Sequence, residues 1–135
     1  MAKILIVEDE ETLRNVLADK LKSEDFEVLE ASNGEEGLTS AQSNEPDLIL
    51  LDILMPVMDG FTMTEKLRQS EKESGKQPSE YVPIIFLTNL GEEKGLTQSQ
   101  KHGVYNYLVK SNWKLENVVI RIKEVLKTHQ QKLAK

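Results

Sequence analysis

Asp52 closes the apolar run "LILLD" and is followed directly by "ILMPVMDG". A carboxylate at the mouth of an apolar segment is costly unless something compensates its charge. Other groups able to do chemistry also stand just past apolar runs. Glu8, Asp9 and Glu10 follow "KILIV", Thr88 follows "PIIFL" and Lys110 follows "YNYLV". Two carboxylates 4 Å apart repel by roughly 4 kcal/mol at an effective dielectric near 20. A lysine offsets part of that repulsion. A hard divalent cation offsets more, and Mg2+ (or Mn2+) takes oxygen ligands, keeps several waters and binds phosphate as well. A carboxylate is in addition a nucleophile toward phosphorus, forming an aspartyl phosphate. The Lys110 ammonium and the Thr88 hydroxyl are suited to hold phosphoryl oxygens. Asp52, at the end of a central run, is the candidate nucleophile.

These groups act together only if the fold brings the ends of the runs to one place. The runs 3–7, 47–51 and 83–87 are continuous and apolar, 26–31 alternates, and 105–109 forms a fifth. Short runs of this kind read as strands, with Pro83 tolerated at a first strand position. Helical spacing of Leu13, Val16, Leu17 and Leu21 predicts a helix over about 10–23. "SNGE" from Ser32 to Glu35 fits a Ser-x-x-Glu capping box opening a second helix, which Pro46 ends. A third helix is expected over 61–72, then a polar loop over 73–81 that is long for such a connection. A marginal fourth helix is expected over 92–101. A last helix, over 115–131, carries Leu115, Val118, Val119, Ile122 and Leu126 as an apolar stripe. Five β-α repeats imply an α/β fold, a doubly wound five-stranded parallel sheet with five helices. Ligands of such sheets bind outside the carboxyl ends of the strands. Glu8, Asp9 and Asp52 would meet there, with Thr88 and Lys110 close by.

Composition narrows the function. A chain of 135 residues with 39% hydrophobic content can bury one core, so 1–135 is read as a single domain. A charge of −6 and a pI near 5.0 oppose direct nucleic-acid binding, which needs clustered cations. No apolar stretch reaches membrane-span length, and "MAKILIVEDEE" is too short and too acidic for a signal peptide. With no cysteine there is neither a disulfide framework nor a thiolate metal site. A cytoplasmic protein is expected. The basic stretch from Arg121 to Lys135 reads as the solvated face and end of a helix. Met55 and Met58 read as packing residues, Asp59-Gly60 as a turn and helix start, and Trp113 as an anchor of the last helix. His102 and His129 lack ligand spacing and read as surface.

Four stretches, "ILIVEDEE" (4–11), "LLDILMPVMDG" (50–60), "IIFLTNL" (84–90) and "YLVKS" (107–111), resemble the receiver domain of bacterial two-component response regulators, the single-domain chemotaxis regulators included. The resemblance covers essentially the whole chain. It implies a flavodoxin-like strand order of 2-1-3-4-5, with Asp52 as the phosphoacceptor. The metal site would be Asp9 directly, Glu8 through water, Asp52, and the backbone carbonyl of Leu54. Thr88, Asn89 and Lys110 would bind the phosphoryl group. Thr88 and Tyr107 would switch, reshaping the face of the fourth predicted helix, the fifth strand and the last helix. Tyr107 also reads as a core wall with a solvated hydroxyl. The implied partners are a sensor histidine kinase or histidine phosphotransfer protein and an unknown downstream protein. The implied state is a monomer or a phosphorylation-dependent dimer. The module would catalyse its own phosphotransfer and dephosphorylation without turning over an external substrate.

The sequence departs from the family pattern at four positions. Ser111 stands where a proline after a cis bond is usual, and a cis bond before serine costs about 2.5–4 kcal/mol. Asn89 stands where a small residue is usual. Leu54 and Leu90 are apolar beside the path of the hydrolytic water, which predicts slow phosphate loss. The competing readings are a receiver-like interaction module that takes no phosphate and a magnesium-dependent phosphohydrolase. The latter lacks an Asp-x-Asp nucleophile pattern. A flavin-binding protein is disfavoured because "VEDEET" would repel a phosphate.

Overall fold

The apolar runs become strands because their side chains are buried on both faces of a sheet, the condition that favours continuous rather than alternating apolar sequence. A computed structural model of the protein describes residues 1–88, 106–110 and 114–133. The elements are β1 (Lys3–Val7), α1 (Glu11–Ser23), β2 (Glu27–Ala31), α2 (Gly34–Asn44), β3 (Leu48–Asp52), α3 (Gly60–Glu73), β4 (Ile84–Thr88), β5 (Asn106–Val109) and α4 (Leu115–Leu133). A 3-10 turn, Pro78–Glu80, interrupts the polar loop before β4. The helix expected over 92–101 lies outside the described residues, as do Asn89, Leu90, His102, Ser111 and Trp113.

All five strands pair in parallel, in the order β2-β1-β3-β4-β5. This is the flavodoxin-like arrangement. Every residue of β3 is buried, as expected of a strand covered on both faces. One core layer places Ile4, Ile6, Leu48, Leu50, Ile85 and Leu87 under α1 and α4. The other places Leu5, Val7, Ile49, Leu51, Ile84 and Phe86 under α2 and α3, with Met55 and Met58 packed against it. Phe61 meets Phe86 edge to face, with ring centroids 5.2 Å apart.

Two local readings change. The α2 cap is Asn33, whose Oδ1 accepts from the Glu36 amide at 2.9 Å. Glu36 in turn accepts from the Ser32 amide and hydroxyl, at 3.1 and 3.0 Å, and these bonds hold its carboxyl below the usual range. The cap thus falls one residue after Ser32, and Glu36 rather than Glu35 reaches back, to Ser32. The Gly34 amide donates to Met58 O at 3.2 Å, where a Cβ would come within 2.4 Å of that oxygen. His129, expected at the surface, is only 9% exposed. It continues the buried stripe of Val118, Ile122 and Val125, a spacing already legible in the chain.

A pair of charges is also buried in α3. Arg68 Nη1 donates to Glu71 Oε1 at 2.6 Å and Nη2 donates to Val82 O at 2.8 Å. Glu71 Oε2 accepts from the Val82 amide at 2.7 Å. The helix thereby grips the segment that enters β4 from both peptide groups of Val82.

Candidate phosphoacceptor and metal site

Register decides what meets at the carboxyl edge of the sheet. Val7 pairs with Leu51 and Asp52 with Leu87, so β1, β3 and β4 finish nearly level. Thr88 pairs with Val109, which places Lys110 one residue past the same edge. Asp52 is the last residue of β3, and its backbone is locked by the close approach of α3. The Gly60 amide donates to Ile53 O at 2.7 Å, and a Cβ at 60 would stand 2.4 Å from Asp52 O. Asp59 caps that helix, accepting from the Thr62 amide at 2.7 Å, as the turn reading implied.

Glu8 and Asp52 are almost entirely buried, at 0% and 2% exposure, whereas Asp9 is exposed. One carboxylate oxygen from each of the three lies within 4.8 Å of the others. The Lys110 ammonium is 2.8 Å from Glu8 Oε1 and 3.2 Å from Asp52 Oδ1. Both contacts are ion pairs by distance, but neither oxygen accepts an aligned hydrogen bond among the described residues. Burial, followed by the proximity of Glu8, pushes the Asp52 carboxyl up to about 8 against the pull of Lys110. Burial alone would lower Lys110. Its contacts with Glu8 and Asp52 outweigh that and hold its ammonium above the ordinary value.

This arrangement fits a divalent cation. Three hard oxygen donors converge, two of them on buried residues, with buried oxygens lacking aligned partners among the described residues and more acid groups than Lys110 offsets. Leu54 borders the site, with its side chain 63% exposed. Tyr107 lies on the edge strand β5 and is 37% exposed, more open than a core wall. Thr88 is placed by register alone, at the end of β4. Sequence reading passed over Arg14, whose guanidinium donates to Glu8 O at 2.8 Å. Its position six residues past Glu8, early in a helix, was too weak a signal to single it out.

A family model for the response regulator receiver domain matches residues 4–123. This chain belongs to the response regulator receiver family. Among curated relatives, the transcriptional regulatory protein SrrA of Staphylococcus aureus is 38% identical over 128 residues, covering 95% of this chain and 49% of SrrA. The chain therefore spans about half the length of the curated relatives it matches. Among solved structures, the chemotaxis protein CheY4 of Vibrio cholerae superposes with a TM-score of 0.80 at 29% identity, covering 93% of this chain and 98% of that one. A protein described as a response regulator from Chloroflexus aurantiacus gives 0.79 at 30% identity, with the same coverages. Receiver-family membership and the acidic cluster support a phosphoacceptor role rather than turnover of an external substrate. Among the described residues, no helix is long and apolar enough to cross a membrane.

Proposed function

We propose that residues 1–135 act as one receiver domain, a phosphorylation-controlled switch of a two-component system. Asp52 takes a phosphoryl group from a phosphohistidine on a sensor kinase or phosphotransfer protein in the cytoplasm. The observation that carries this reading is the buried Asp52 carboxylate at the sheet edge, with Glu8 and Asp9 oxygens within 4.8 Å and Lys110 Nζ at 3.2 Å.

The roles are those that the resemblance to the receiver family implies. An Asp52 oxygen forms the new P–O bond as the donor's P–N bond breaks, and the imidazole nitrogen leaves with the electron pair. Glu8, Asp9, Asp52 and the Leu54 carbonyl would hold Mg2+, which supplies charge neutralisation around the phosphoryl oxygens. Once Asp52 is phosphorylated, Lys110 would hold a phosphoryl oxygen along with Thr88 and Asn89. Thr88 and Tyr107 transmit the change to a downstream partner.

Acetyl phosphate with Mg2+, read by intact mass, tests the proposal. One phosphoryl group should appear on the chain and be missing in Asp52→Asn or after chelation of the metal. An unmodified chain at saturating donor would instead favour a receiver-like interaction module.

A further inference from the structure

The acidic turn between β1 and α1 is fastened by a residue outside the acidic cluster. Glu8, Asp9 and Glu10 join the two elements, and Asp9 is exposed at the middle. The Glu8 amide continues the sheet ladder to Ala31 O at 3.1 Å, and Glu8 Oε2 accepts from the Glu10 amide at 3.3 Å. Arg14 then takes both carbonyls that flank Asp9. Its backbone amide donates to Glu10 O at 2.9 Å, and its guanidinium Nη1 donates to Glu8 O at 2.8 Å. The Nε end of the same fork lies 3.4 Å from Glu30 Oε1 on β2, with the arginine side chain 17% exposed. The guanidinium is thus anchored to the neighbouring strand while it grips the turn.

We propose that Arg14 is a positioning residue for the cation pocket. It fixes the Glu8–Asp9 peptide so that the Asp9 carboxylate stands beside those of Glu8 and Asp52. The proposal rests on the reading of that cluster as a cation site. Two alternative effects have different signs. A cation on the acidic turn would, through charge alone, weaken the binding of another cation, so removing it would tighten binding. Glu30 offsets part of that charge, and the hydrogen bond to Glu8 O acts in the opposite sense. A purely structural role would leave metal affinity alone and lower stability only. A lysine brings charge and one donor but lacks the fork that serves Glu8 O and Glu30 together.

The test is direct Mg2+ titration of the whole metal-free protein by calorimetry, with urea unfolding alongside. Arg14→Ala should weaken Mg2+ binding by about tenfold, the low end for loss of a residue that orients a metal ligand. Arg14→Lys should weaken it less, and Glu30→Gln should change it by no more than about twofold, far below the loss expected for the orienting residue. The Asp9 amide resonance should move in Arg14→Ala without metal, while that of Asp47 at the opposite edge should not. Unchanged or tighter binding in Arg14→Ala overturns the proposal. Should that variant fail to fold, Arg14→Lys carries the test, and wild-type affinity there overturns it. Wild-type protein that binds no Mg2+ overturns the cation-site reading itself, and the role of Arg14 with it.

Discussion

Lys110 Nζ lies 2.8 Å from Glu8 Oε1, closer than its 3.2 Å approach to Asp52 Oδ1. The lysine's tightest partner is therefore the neighbouring acid and not the candidate nucleophile. One ammonium serves two buried carboxylates, and Asp52 receives the smaller share of it. Burial raises the proton affinity of Asp52, and the nearness of Glu8 adds to it, against the pull of Lys110.

The metal-free protein should become more stable on Asp52→Asn at pH 8. In the folded chain Asp52 holds its proton up to about 8, against an ordinary value of 3.8. Between those values the folded state binds more protons than the unfolded one, so stability falls as pH rises. The group's contribution is fully favourable below pH 3.8 and has been lost once pH passes about 8. A tenfold change in proton affinity is worth about 1.4 kcal/mol, so a gain on the order of 2–5 kcal/mol is expected at pH 8. It should shrink toward zero near pH 4. Urea unfolding of both proteins across this range measures it, and a gain independent of pH would contradict the assignment.

Gly60→Ala should destabilise the protein by about 2 kcal/mol and slow labelling of Asp52. Its Cβ would meet Asp52 O at 2.4 Å, and that atom is strand backbone with little freedom to move. Lys66→Ala, exposed on the same helix, serves as the control. Urea midpoints and acetyl phosphate labelling rates read the two effects separately.

Glu71→Ala should cost about 3 kcal/mol, because it removes the acceptor of both Arg68 Nη1 and the Val82 amide in a buried setting. Glu71→Gln keeps an acceptor of the same length and should cost less. Labelling of Asp52 should proceed in any Glu71 variant that folds, since the pair lies far along α3 from the acidic edge.

Leu54 stands 63% exposed at the rim of the site and offers no group that orients water. Phosphate loss from Asp52 should be slow, with a half-life well beyond seconds. Leu54→Asn should speed it by roughly tenfold, a small part of what a positioned acid–base group supplies. The decay of labelled protein after donor removal gives both rates.

The acidic cluster and its lysine were legible because Glu8, Asp9, Asp52 and Lys110 stand at or just past the ends of apolar runs, and parallel strands put such positions on one edge. The reading was weaker where local patterns competed. "SNGEE" offers both Ser32 and Asn33 as caps, and in the fold Asn33 takes the place. His129 was taken as surface because isolated histidines usually are, although its spacing from Val125 put it on the buried stripe.

Sequence alone determined the β-α alternation, the two-sided burial of β3 and the choice of Asp52, Glu8, Asp9 and Lys110. Those features depend on residue type and period, which are local. Tertiary structure decided how Lys110 is shared between Glu8 and Asp52, the grip of Arg68 and Glu71 on Val82, and the clasp of Arg14 on the turn beneath Asp9. Each depends on distances between residues remote in the chain or on which way a carbonyl faces. No local pattern encodes such distances, because chain packing sets them.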